Sequence, residues 1–174
     1  MLPTPACFHY FRNSLLMCFL MILPIVQPLY FNITNFNDTE SASLIGYAGV
    51  AKNENGTVVL NPLINNGIGR AIYGQPLRIK NSSNGHVTDF STWFSFTIDV
   101  SSRTNYGDGF AFFVAPLAYQ IPPNSGGGGL GLYDDSAPQN NIIVVEFDTF
   151  VNNFDQTMQH VGINNNSLVS LNYS

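Results

Sequence analysis

From residue 30 onward, apolar residues recur mainly at every second position, and no helical period of 3.6 persists for ten residues. Trp93-Phe94-Ser95-Phe96-Thr97-Ile98-Asp99 alternates apolar and polar side chains, with aromatic and β-branched types enriched. That pattern predicts a strand with one buried face. Gly109–Ala115 and Ile142–Asp148 are near-continuous apolar runs, and His160–Ile163 is a shorter one. They read as strands buried more fully. Leu29–Ile33, Ser43–Ala51, Thr57–Leu60, Gly69–Tyr73 and Leu77–Lys80 are earlier strand candidates. Turn signals separate them: Asn55-Gly56, Asn66-Gly67, Asn84-Gly85, Gly107-Asp108-Gly109 and Pro122-Pro123. Short strands at such spacing predict an all-β sandwich or barrel.

The first 29 residues follow a different pattern. Arg12 is their one Lys or Arg, and the apolar run Leu15–Leu23 follows it, closed by Pro24. This is the layout of a secretory leader, and the run is short of the ~20 residues a membrane span needs. Residues 1–29 are therefore expected to be a signal peptide, cut near residues 26–29, with one domain over residues 30–174. Cys7 and Cys18 lie in the leader, so the domain has no thiol chemistry and no disulfide framework. Six Asn-x-Ser/Thr sequons, at Asn32, Asn37, Asn55, Asn81, Asn165 and Asn172, agree with export and glycosylation.

Composition narrows the function. Charged residues make up 10% of the chain, against about 25% in an average domain. The net charge of −5 excludes a phosphate-backbone partner, and the scattered Lys and Arg cannot form a polybasic membrane patch. The 45% hydrophobic content excludes a disordered polyelectrolyte.

Three stretches carry candidate chemistry. In a strand, Glu146 and Asp148 share a face, and Asn152, Asp155 and His160 follow within a short loop. Carboxylates with an amide or carbonyl suit Ca²⁺, and carboxylates with imidazole suit an ion such as Mn²⁺. The same pair of carboxylates could serve glycoside hydrolysis. The extra oxygen donors and the imidazole fit a metal better. Asp108 precedes an apolar strand, where its carboxylate could accept hydrogen bonds from paired hydroxyls. The run Ser125-Gly-Gly-Gly-Gly-Leu-Gly-Leu132 offers bare backbone N–H groups, but no Gly-Lys-Ser/Thr follows it. No nucleophile and base stand in a catalytic pattern, so the chain does not read as an enzyme.

These stretches fall in an order that resembles the legume (L-type) lectin family. The resemblance runs through Phe31-Asn-Ile-Thr-Asn-Phe36, Gly69-Arg-Ala-Ile-Tyr73, Asp89-Phe-Ser-Thr-Trp-Phe-Ser-Phe96 and Gly107-Asp-Gly-Phe-Ala-Phe-Phe-Val-Ala-Pro116. It continues through Gly128-Gly-Leu-Gly-Leu132, Val145-Glu-Phe-Asp-Thr-Phe150 and His160-Val-Gly-Ile163. The last part looks most like the extracellular domain of plant lectin-type receptor kinases. The resemblance implies a concanavalin-type jelly-roll sandwich of antiparallel strands and non-catalytic carbohydrate binding outside the cell. It implies that Glu146, Asp148, Asp155 and His160 ligate Mn²⁺, with Ser170 behind through water. It implies that Asp148, the Phe150 carbonyl, Asn152 and Asp155 ligate Ca²⁺. Asp108, Gly128, Phe150 and Asn152 would contact the sugar, and the Gly107–Asp108 peptide would be cis.

Three departures stand out. Asn152 and Asp155 are one residue closer than the family usually has them, Phe154 stands for a tryptophan, and Gln156 stands for a proline. The family's domain also continues well past residue 174, so the resemblance covers its N-terminal part. Three further readings accompany the leading one: the start of a receptor-kinase ectodomain, an inactive fragment without sugar binding, and a homodimer joined through open sheet edges.

Overall fold

A computed structural model describes residues 29–80, 84–134, 141–155 and 159–174. The expected leader, Asn81 and Gln156 lie outside the described residues, apart from Leu29 of the leader. Ile33–Ser174 forms one unit.

The architecture is all-β. A single turn of helix, α1 (Thr39–Leu44), leads into β1 (Ile45–Gly49). β2 (Lys52–Glu54) and β3 (Thr57–Val59) form a hairpin, and β4 (Gly69–Tyr73) returns to pair antiparallel with β1. The Asn55-Gly56 turn joins β2 to β3 with both residues at positive φ (51° and 82°). A tight two-residue hairpin requires that conformation, which Asn and Gly adopt at least cost.

The main sheet has the order β5-β6-β7-β8, antiparallel throughout. Its strands are β5 (Gly109–Val114), β6 (Ile143–Asp148), β7 (His160–Asn165) and β8 (Asn172–Tyr173). Alternation sorts the side chains of this sheet to two faces. On one face Phe113 pairs with Val144, Ala111 with Glu146 and Gly109 with Asp148. Leu132, Tyr133, Ile142 and Val144 are buried there, with Ala111, Phe113, Ala115, Tyr119 and Leu168 packed against them. Each fully buried side chain of this kind contributes about 1.5–3 kcal/mol. Along the same face the core gives way to Glu146, Asp148 and His160, all buried. The functional end of the sheet therefore continues the core face.

The other face is aromatic. Phe94 stacks on Phe112 with centroids 5.5 Å apart, and Phe96 on Phe110 at 4.6 Å, with Phe147 completing the cluster.

Several expectations need correction. Trp93–Asp99 packs by its rings but forms no strand, because no neighbouring strand supplies its hydrogen bonds among the described residues. Leu29–Ile33 forms no element, and Leu77–Lys80 contributes only the bridge Lys80–Val87. Within Ser43–Ala51, Ser43 and Leu44 end the helical turn and Ile45–Gly49 is β1. Of the described sequons, Asn32, Asn37, Asn55, Asn165 and Asn172 are exposed.

Candidate functional site

β6 and β7 bring the charged groups together by register. Asp148 stands directly opposite His160, and Glu146 stands opposite Gly162. Asp155 reaches the same place from the following loop. Its carboxylate accepts the Asn152 backbone N–H, and its own N–H donates to the Asn152 carbonyl at 3.1 Å. One ligand atom from each of Asp148, Asp155 and His160 then lies within 4.8 Å of the other two. Glu146 joins through His160, with Oε1 3.2 Å from Nε2. The Ser170 hydroxyl donates to that same Oε1.

The electrostatics mark this end of the sheet as short of positive charge. Burial pushes the Asp148 carboxyl above its ordinary range. The Phe150 N–H, donating to Asp148 Oδ1 at 2.7 Å, and His160 oppose the rise, while Asp155 and Glu146 add to it. Three buried or half-buried carboxylates and an imidazole in so small a space are the donor set of a cation site. The residues present therefore fit a metal ion.

Asp108 sits beside this cluster. Its peptide bond to Gly107 is cis, as the resemblance implies. Its carbonyl accepts the Thr149 N–H at 2.9 Å and the Thr149 hydroxyl at 3.1 Å, which locks the turn to the end of β6. Burial raises its carboxyl, the nearby Asn152 amide lowers it in part, and Asp155 raises it further. Asn152 Nδ2 is buried and completes no hydrogen bond of normal geometry.

The glycine run closes the other side. Gly127–Gly129 forms a 3-10 turn, and Leu130 donates back to the Gly127 carbonyl at 2.9 Å. A Cβ at Gly128 would stand 2.7 Å from the Phe154 ring and 2.8 Å from Asn152 Nδ2. Only glycine allows this approach of backbone to the Asn152 side. Phe150 lies against Gly107 and is half exposed. Asp108, Gly128, Phe150 and Asn152 thus meet at one rim, next to the carboxylate cluster.

Other residues support the site without being sequence candidates for it. Arg70 on β4 is buried and donates to the carbonyls of Gly131 (2.6 Å) and Tyr119 (2.9 Å). Its guanidinium lies 5.1 Å from the Phe113 ring centroid and 5.2 Å from that of Tyr119. It therefore anchors the glycine run from behind. Asn164, also buried, holds its Oδ1 3.2 Å from the Ser170 hydroxyl oxygen and donates to the carbonyls of Ser167 and Leu168. Both lie in stretches where the sequence signal was strand alternation, which says nothing of partners across the sheet.

A family model described as a legume lectin domain matches residues 28–174. The L-type lectin-domain containing receptor kinase IX.1 of Arabidopsis thaliana is 43% identical over 171 residues, covering 94% of this chain and 26% of its own length. The putative bark agglutinin of Robinia pseudoacacia is 40% identical over 150 residues, covering 83% of this chain and 53% of its own. Among solved structures, the Lotus tetragonolobus seed lectin superposes with a TM-score of 0.70 at 32% identity, covering 84% of this chain and 65% of that one. The chain thus spans about a quarter of the receptor kinase and about half of the agglutinin. Among the described residues, no helix is long and apolar enough to cross a membrane.

Proposed function

The chain belongs to the legume lectin family, and from that premise we propose that it binds carbohydrate, without catalysis, at the rim formed by Asp108, Gly128, Phe150 and Asn152. The observation that carries the reading is the meeting of these four at the edge of the Asp148, Asp155 and His160 cluster. Sugars present apolar C–H faces and rims of hydroxyls, so they need one aromatic surface with converging donors and acceptors. Asp108 accepts from a pair of hydroxyls. The Gly128 N–H donates, and the Asn152 amide, which already lies beside the Asp108 carboxylate, donates with it. Phe150, half exposed, covers the C–H face.

Glu146, Asp148, Asp155 and His160 hold Mn²⁺, with Ser170 steadying Glu146. Asp148, the Phe150 carbonyl, Asn152 and Asp155 hold Ca²⁺. When bound, the ions offset the carboxylate charge and stiffen the 150–155 loop. The chain's own residues prepare for this: the Asp148–Phe150 and Asn152–Asp155 hydrogen bonds already fold that loop onto β6.

Exposed sequons at Asn32, Asn37, Asn55, Asn165 and Asn172, and a leader ending near residues 26–29, make the domain a secreted glycoprotein. A second reading, the ectodomain of a receptor kinase, is favoured by the 43% identity to such a kinase. Sequencing the transcript past Ser174 tests it.

Calorimetry tests the main reading. Galactose and a panel of other sugars are titrated into the chain with Ca²⁺ and Mn²⁺, then again in chelator. The expected result is heat with at least one sugar that chelator removes. Asp108→Asn should abolish that heat while Mn²⁺ still binds. Metal-independent heat, or none with any sugar, overturns it.

A further inference from the structure

The chain has three Asn-Gly steps, Asn55-Gly56, Asn66-Gly67 and Asn84-Gly85, and all three Asn are exposed. Asn is a thermolabile residue, and a following glycine has no Cβ to keep its amide nitrogen away from the Asn side chain. The three steps share this chemistry but are held differently.

Gly56 donates its N–H to Asn53 Oδ1 at 3.1 Å, and its carbonyl accepts the Phe36 N–H at 3.1 Å. Gly67 donates to the Ile64 carbonyl at 3.1 Å, and its own carbonyl accepts from Asn61 Nδ2 at 3.1 Å. Both glycines are also packed. A Cβ on Gly56 would collide with Asn35 Oδ1, and one on Gly67 would stand 3.0 Å from the Ile64 carbonyl oxygen. Gly85 is exposed, and a Cβ there would meet nothing closer than Lys80 Cε at 4.0 Å. Among the described residues, its N–H completes no hydrogen bond. Asn84 Oδ1, in contrast, accepts the His86 backbone N–H at 3.0 Å, which curls the carboxamide over the Gly85 peptide in an Asx turn. The ends of this loop are tied by the Lys80–Val87 bridge and by the Thr88 N–H on the Ile79 carbonyl at 2.8 Å.

We propose that Asn84 is a site of spontaneous deamidation, and the one of the three steps that reacts in the folded chain. Solvent base removes the Gly85 amide proton, and the nitrogen attacks Asn84 Cγ. The electron pair pushed onto Oδ1 is met by the His86 N–H, a donor already in place where negative charge develops. The Cγ–Nδ2 bond breaks, Nδ2 takes a proton and leaves as ammonia, and a cyclic imide remains. Water then opens the imide. Opening at Cγ gives aspartate. Opening at the main-chain carbonyl gives isoaspartate, which routes the chain through Cβ and Cγ. Either product adds a carboxylate to the loop between Lys80 and Val87. At Asn55 and Asn66 the glycine N–H must first leave its acceptor, so reaction there waits on local opening. The proposal rests on neither sugar nor metal binding.

The test uses the chain made in a bacterial host, so that no glycan blocks Asn55. It is held at mildly alkaline pH with and without urea, and peptide mass spectrometry follows the deamidated fraction at each Asn. In the folded chain Asn84 should deamidate at least about tenfold faster than Asn55 or Asn66, the ratio imposed by opening a hydrogen-bonded turn. In urea the three rates should converge, because the turns are gone. Asn84→Gln needs a larger ring for the same attack, and should remove most of the acidic form that ion exchange resolves. Three results overturn the proposal: Asn55 or Asn66 reacting as fast as Asn84 in the folded chain, a preference for Asn84 undiminished in urea, or an acidic form that accumulates at the same rate in Asn84→Gln. The second of these assigns the preference to local sequence and not to the fold.

Discussion

Gly162 faces Glu146 across the β6–β7 ladder, and a methyl group there would stand 2.6 Å from Glu146 Oε1 and meet the Ser170 hydroxyl. The Ser170–Glu146–His160 contact exists because that position is empty. Gly162→Ala should therefore displace the pair and lower Mn²⁺ affinity about 10–100-fold, the usual cost of disturbing groups behind metal ligands. A Mn²⁺ titration by calorimetry reads this. Arg70 shows a different dependence. Its guanidinium satisfies two carbonyls in the core and lies over two aromatic rings. Arg70→Met leaves those carbonyls unpaired and should cost about 2–4 kcal/mol, measured by urea denaturation. At this scale the grouping of Asp148, Asp155 and His160 was legible, since carboxylate and imidazole chemistry is written in residue type and spacing. Gly162, Asn164 and Arg70 were not, because what they meet is set by the fold: Gly131 is 61 residues from Arg70, and Gly162 faces Glu146 across a strand pair.

Asn amides fold several of the loops between the strands. Asn61 accepts from Ile64 and donates to the carbonyls of Ile64 and Gly67. Asn53 Oδ1 accepts from Gly56 in the β2–β3 turn. Asn166 Oδ1 accepts the Ile142 N–H at 2.6 Å, where the chain enters β6. Asn166→Ala leaves that donor without its acceptor and should cost about 1–2 kcal/mol in chemical denaturation. This explains how a chain with 10% charged residues still fixes its loops. Strand prediction succeeded for β4, β5, β6 and β7, because alternation and apolar runs report burial on a sheet that is present. It failed for Trp93–Asp99 in the opposite direction. The alternation there is real, and the rings do face the sheet, but a strand also needs neighbours. β2 and β8 escaped notice because two or three residues are too few for a period.

Across the whole domain, the main sheet carries an apolar core at one end and a cluster of like charges at the other. Two buried acids on one strand, Glu146 and Asp148 of β6, oppose folding unless a cation offsets them. Ca²⁺ and Mn²⁺ should therefore each stabilise the domain by about 3 kcal/mol at 100 times the dissociation constant, and chelator should remove that gain. Thermal unfolding with and without chelator measures it, and an unchanged midpoint counts against ions at this cluster. Composition, alternation and motif order were enough to set the strand-built class and to single out the carboxylates and imidazole that the fold gathers. These are properties of local chemistry, and each residue carries them wherever the chain places it. The tertiary structure decided the rest: that Asp148 meets His160, that Gly128 reaches Asn152, that Arg70 braces the glycine run, and that Asp89–Asp99 packs by its rings without a backbone hydrogen bond among the described residues. Those facts depend on register and on contacts between distant segments, which no local pattern encodes.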